Sequence, residues 1–107
     1  MALTAKPLGQ GQLPSSKGTL YTVPGATATL ITRGTLVNTT AGALTVNVYL
    51  KTSAGSSRRI VPKDLSLAAG ASVDIRGGHV VDAGGLIEGD ASSATSIDYF
   101  FSGVEMA

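Results

Sequence analysis

The chain has 107 residues, with eight basic and seven acidic side chains, one histidine and no cysteine, and a net charge of +1. That length fits one domain, which buries roughly 65% of its unfolded surface, and the near-neutral charge supplies no strong field for nucleic acid or an anionic membrane. Disulfides and thiolate metal ligation are excluded, no apolar run approaches the ~20 residues that span a bilayer, and residues 1–6 lack the basic start and apolar run of a signal peptide.

Residues 1–17 carry Pro7, Gly9, Gly11 and Pro14 among scattered Gln and Ser, with no sustained period. They read as an extended N-terminal arm, either frayed or laid along a neighbouring subunit, with Lys6 and Lys17 as candidate partner contacts. From residue 18 the pattern becomes strand, turn, strand. Residues 18–23 form the first run, and Pro24-Gly25 supplies a turn in which proline sets φ and glycine allows its positive range. Residues 26–32 and 35–38, separated by Arg33-Gly34, read as one strand with a glycine bulge or as two strands with a tight turn.

Residues 44–51 alternate most clearly. Leu44, Val46, Val48 and Leu50 fall on one face, and Thr45, Asn47, Tyr49 and Lys51 on the other, the two-residue period of a half-buried strand. The polar row is expected to face outward and to be available to a partner. Residues 52–57 make a flexible hairpin tip, and residues 58–61 return as a strand that Pro62 ends, because proline donates nothing to a ladder. Arg58 and Arg59 point to opposite faces if both lie in a strand; with Lys51 and Lys63 they form the one basic concentration, read as a solvated edge or a source of salt bridges to a neighbouring subunit.

Two short strands around a turn are expected within residues 65–75, then a short segment at 79–82 set off by Arg76-Gly77-Gly78 and Gly84-Gly85, then residues 86–88. In the final strand Ile97, Tyr99 and Phe101 share one face and Phe100 takes the other. Short strands at these spacings, with a core of small branched side chains, point to a single all-β domain over residues 18–107, an antiparallel β-sandwich or jelly roll.

No catalytic, cofactor-binding or metal-binding residues are assigned. His79 has only Asp82 nearby in sequence and reads as a solvated or hydrogen-bonded histidine, since zinc sites recruit several ligands. The Gly-x-Ser-x-Gly elbow of hydrolases is missing. The carboxylates Asp64, Asp74, Asp82, Glu88, Asp90, Asp98 and Glu105 are spread through turns and strands, and one of them beside a glycine, Asp90, is weak ground for a calcium loop. Asn38-Thr39-Thr40 has the glycosylation spacing but reads as a polar strand end, and Tyr21, Tyr49 and Tyr99 are assigned to packing or interfaces rather than to a sugar platform.

The segments Gly18-Thr-Leu-Tyr-Thr-Val-Pro24, Leu36-Val-Asn-Thr39, Thr45-Val-Asn-Val-Tyr-Leu50, residues 59–70 and Ile87-Glu-Gly89 together resemble small β-rich virion proteins of tailed bacteriophages. The likeness covers about residues 18–105, and its motifs mark strands and turns. Where such relatives carry a longer glycine turn after Val-Pro and an Asp after the glycine near position 84, this chain has Gly25-Ala26 and Gly84-Gly85. The resemblance implies a non-enzymatic capsid cement or decoration subunit without cofactor, bridging major capsid subunits of the mature head. The alternatives are a tail, baseplate or fibre-associated module, and a receptor or glycan-binding domain. The implied partners are the phage major capsid protein or tail proteins and further copies of the chain, and the implied location is the virion, assembled in the host cytoplasm.

Overall fold

The computed structural model describes residues 2–107, and among them it contains nine strands and no helix. In chain order these are β1 (Leu3–Gln12), β2 (Gly18–Thr22), β3 (Ala28–Asn38), β4 (Leu44–Lys51), β5 (Arg58–Arg59), β6 (Leu65–Leu67), β7 (Ser72–Val81), β8 (Leu86–Ala91) and β9 (Ile97–Met106). One sheet has the order β1-β9-β3-β7, and the other has the order β2-β8-β4-β5 with β6 also on β4. The chain changes sheet at every connection except those from β4 through β5 to β6, and all pairings are antiparallel. This strand order is that of a jelly roll, two Greek keys wrapped into a sandwich. It resolves the choice the alternating pattern had left open between sandwich types.

The N-terminal arm is not a separate element. β1 pairs with β9 along its length, from Leu3 opposite Met106 to Gln12 opposite Asp98, and Leu8 and Leu13 are buried in the core. The expected boundary at residue 17 therefore cuts through the folded domain. Ala2 N–H donates to Ala107 O at 2.8 Å and Ala107 N–H donates to Ala2 O at 2.9 Å, so the two ends of the described chain lie side by side.

The first sheet is bent along a line of bulges at Ser102. β1 carries Leu8 as an extra residue between the partners of Ser102 and Phe101, and β3 carries Thr32 between the partners of Gly103 and Ser102. On the far side two residues of β7, Gly77 and Gly78, stand opposite that single Thr32. A bulge reverses the face of every later residue. Thr29 and Ile31 thus point inward before it, and Gly34, Leu36 and Asn38 after it. The bulge reading of Arg33-Gly34 holds in this form, while β7 runs straight through Arg76-Gly77-Gly78, where a break was expected.

Phe101 fills the centre of this bend and is fully buried. Its cross-strand neighbours are Gly9 on β1 and Gly34 on β3, and a Cβ built on Gly34 would collide with the Phe101 ring. The absence of a side chain on Gly34 makes room for the Phe101 ring, whereas a Cβ on Gly9 would meet the backbone oxygen of Leu20. Around it, Leu36, Ile31, Ile75, Ile97 and Val81 of the first sheet face Val46, Val48, Ile87 and Leu67 of the second.

Candidate functional site

The outward row of β4, the expected contact surface, is covered. The alternation itself is as read, yet Asn47 is only 6% exposed and Tyr49 only 9%. Asn47 Nδ2 donates to Asp64 Oδ1 and to Asp90 Oδ1, both at 3.0 Å, and Asn47 Oδ1 accepts the Asp64 N–H at 2.9 Å. This clamp holds the loop after β5 against the sheet, with Asp64 in the left-handed region at φ 52°, which short polar side chains tolerate. Tyr49 donates its hydroxyl to Asp90 Oδ2 at 3.0 Å, while Lys17 Nζ lies 4.9 Å and the Arg59 guanidinium 5.0 Å from its ring centre. Burial first, then the bond to Asp90 and its charge, hold the Tyr49 phenol above its ordinary value of 10.0.

The other sequence-nominated residues are placed as follows. Lys17 also donates to Ser57 Oγ at 3.3 Å, and that hydroxyl donates to Glu88. Arg59 lies over Tyr49 on the outer face, whereas Arg58 lines a groove at the open edge of the sandwich with Leu50, Ile60 and His79, so the two arginines do diverge. Thr45 is half-buried and tied through its backbone N–H to Ser92 Oγ at 3.0 Å, and Lys51 is half-buried at the end of β4. Lys6 sits apart from these on β1, its Nζ 3.4 Å from Glu105 Oε1. The structure thus gathers Asn47, Tyr49, Lys17 and Arg59 into one polar network on the outer face of the second sheet, with Lys17 and Arg59 exposed over Tyr49, and leaves Lys6 on the first.

Two further motifs resolve into structural roles. Asp82 accepts from the Ser53 N–H at 3.2 Å and faces the Ser53 hydroxyl at 3.4 Å. Asn38 of the glycosylation spacing is fully buried. Its amide nitrogen donates to Gly42 O and Leu67 O, and its oxygen accepts from the Thr40 N–H and hydroxyl. Among the described residues no three His, Cys, Asp or Glu side chains are grouped to hold a metal ion.

The surface that sequence reading missed is the outer face of the first sheet. Its cross-strand rows read Leu3, Met106, Ala28 and then Ala5, Val104, Leu30, Val80 from β1 to β7. Leu3 is 66% exposed and Val80 59%. Beyond the bulge line Phe100 stands out at 45% exposure beside a groove of about 530 Å³ lined by Gly11, Thr35, Val37 and Tyr99. These residues come from four strands: Leu3, Ala5, Ala28, Leu30 and Val80 lie together on one side of the bulge line, and Phe100 shares the outward parity of Val104 and Met106 on β9. The signal in the sequence was their departure from the inward parity of each strand.

Comparison with protein families and with curated proteins yields no match. Among solved structures, the chain is similar in fold to a structure of infectious bursal disease virus, Gx strain, with a TM-score of 0.53 and 14% identity. It is similar also to the VP2 subviral particle of infectious bursal disease virus, with a TM-score of 0.50 and 14% identity. Both likenesses cover 97% of this chain and about a third of the other, 32% and 31%. At that identity they bear on the fold, and they agree with the two-sheet jelly roll described above.

Proposed function

We propose that the protein is a non-enzymatic structural component of a virus particle, acting as a cement or decoration subunit on a tailed-phage head. The observation that carries this reading is a jelly roll, similar over 97% of its length to structures from virus particles, with an apolar end of one sheet face left exposed. Jelly rolls also serve lectins and other proteins, so the fold alone is shared ground. The sequence resemblance to small phage virion proteins supplies the rest.

Attachment in this reading uses many weak copies. A small neutral module holds through multivalency, and by binding the mature shell in preference to the unassembled state it stabilises the shell through linkage. The polar network of Asn47, Tyr49, Lys17 and Arg59 keeps one sheet face solvated and closed, and the apolar face of the other is the one that docks. An imaging reconstruction of the particle tests this directly. Density for the domain spread over the whole shell supports the decoration role; a single ring of copies at the vertex or tail supports a tail module instead. Absence from purified particles overturns both.

A further inference from the structure

We propose that the cleft on the open side of the sandwich, between β5 and β7, binds a small aliphatic carboxylate. Arg58 and His79 hold the carboxylate, and the inner walls of the two sheets take the tail. The inference does not rest on the virion reading.

Strand register carries the first argument. Residues directly opposite on paired antiparallel strands share a face. Arg58 stands opposite Leu50, whose face is that of the buried Val46 and Val48, and His79 stands opposite the buried Ile31. Both polar side chains therefore occupy core-facing positions, one on each of the edge strands that flank the opening, and both are nonetheless exposed. On the β1 and β2 side the sheets come so close that a Cβ on Gly9 would lie 2.7 Å from the Leu20 carbonyl oxygen. The gap is at the β5 and β7 side.

Shape carries the second. The cleft has a volume of about 330 Å³, at the lower end of small-molecule sites. At ~30 Å³ for a water-sized group it has room for roughly ten non-hydrogen atoms. Val81, which is buried, forms the floor, and Leu50 and Ile60 make a wall that continues into the core. One end is held by the Ser53 N–H, which donates to Asp82 Oδ1 at 3.2 Å and so ties the loop after β4 to the turn after β7. Donors stand at the mouth, where the Thr52 and Ser56 hydroxyls join Arg58. The cleft lies between the sheets, and of the outer face assigned to docking only Val80 borders it.

Charge selects the occupant. No Asp or Glu lines the cleft, and Asp82, the nearest in sequence, is engaged by Ser53. Arg58 is permanently cationic and takes part in neither ion pair of the described residues, Lys6 with Glu105 and Arg33 with Asp74. Its planar fork matches a carboxylate through two parallel hydrogen bonds, and the His79 ring supplies a further N–H. Inward-pointing charge on edge strands also discourages sheet-edge pairing, but that role asks for no apolar cleft behind the charge.

The test is a titration of the isotope-labelled full chain with sodium octanoate, followed by NMR. Saturable shifts are expected at the amides of Arg58, Ile60, His79 and Val81, with a Kd below about 1 mM, the range that so small a ligand supports. Acetate, which lacks the tail, and octanol, which lacks the charge, should each bind about tenfold more weakly or less. Arg58→Gln should weaken octanoate about fivefold or more, whereas Arg59→Gln, whose side chain lies over Tyr49 on the outer face, should leave it unchanged. The comparison of octanoate with octanol on the wild type needs no variant to fold. N-acetyl-leucine stands for a polypeptide C-terminus; its amide would be set against the apolar wall, so it should bind more weakly than octanoate. Shifts that do not saturate at millimolar octanoate, equal binding of octanol, indifference to Arg58→Gln in a folded variant, or tighter binding of N-acetyl-leucine overturns the proposal. Each of these leaves the virion reading standing, because particle imaging tests that separately.

Discussion

The Tyr21 hydroxyl lies 2.5 Å from Glu105 Oε2 and 2.8 Å from Thr29 Oγ1, so a single phenol on β2 fastens one sheet to β9 and β3 of the other. Burial, then the hydrogen bond to Glu105, push the Tyr21 phenol up to about 12. In return the Tyr21 bond, with help from Lys6, holds the Glu105 carboxyl below its ordinary value of 4.5.

The pH dependence follows from these directions. A carboxyl depressed in the folded state contributes stability that is present above pH 4.5 and is lost as the pH falls through the lower folded value. A phenol raised in the folded state contributes stability that is present below pH 10.0 and is lost as the pH rises from there towards about 12. Tyr21→Phe should therefore lower stability at neutral pH by about 1–3 kcal/mol, flatten the acid limb, and remove part of the alkaline one. Denaturant titrations across pH, with the Glu105 carboxyl followed by NMR, check each limb; an unmoved Glu105 would contradict the strut.

Gly34 offers a second prediction. Gly→Ala in a strand ordinarily gains a little, but here the added methyl would enter the Phe101 ring. Overpacking of this kind costs about 1–3 kcal/mol. Gly42→Ala, in a turn where a Cβ meets nothing within 4 Å, serves as the control and should be neutral or slightly stabilising. Thermal midpoints of the two variants should move in opposite directions or differ clearly in size.

Removing residues 1–17 should unfold the domain rather than merely loosen its attachment. Leu13 is fully buried and Leu8 nearly so, and β1 supplies a whole edge of the first sheet. Leu13→Ala alone should cost about 2–5 kcal/mol. A truncated chain that keeps its cooperative unfolding transition would restore the idea of a detachable arm.

Asn47→Ala should release the loop that carries Asp64. The substitution strips partners from Asp64 and Asp90 and leaves the Asp64 N–H without its acceptor, at about 1–3 kcal/mol. Hydrogen exchange should report faster exchange at the Asp64 amide, with the amides of β3 and β9 little changed.

The strands that carry an unbroken two-residue period were legible in the sequence. Leu44 to Lys51 and the Ile97, Tyr99, Phe101 row have the faces their alternation predicts. What alternation does not encode is whether a polar face is open. Lys17 and Arg59 lie across Tyr49, and the loop carrying Asp64 is clamped to Asn47; these are contacts between segments far apart in the chain. Bulges hid the rest. Leu8 and Thr32 each interrupt the period, so β1 read as an arm and β3 as a bulged or broken strand, while the glycines at 77 and 78 read as a break although β7 keeps its alternation across them. The apolar outer face was invisible because its members are spread over four strands far apart in the chain, one or two to a strand end.

The paired amides of Ala2 and Ala107 bring both ends of the described chain out at one corner of the sandwich, beside Leu3 and Met106. Such a module can be spliced into a loop of a larger polypeptide, leaving and re-entering its host at a single point without stretching either fold. It can equally be circularly permuted: a short linker joining residues 2 and 107, with new ends opened in the exposed hairpin at residues 52–57, retains the strand pairings of both sheets.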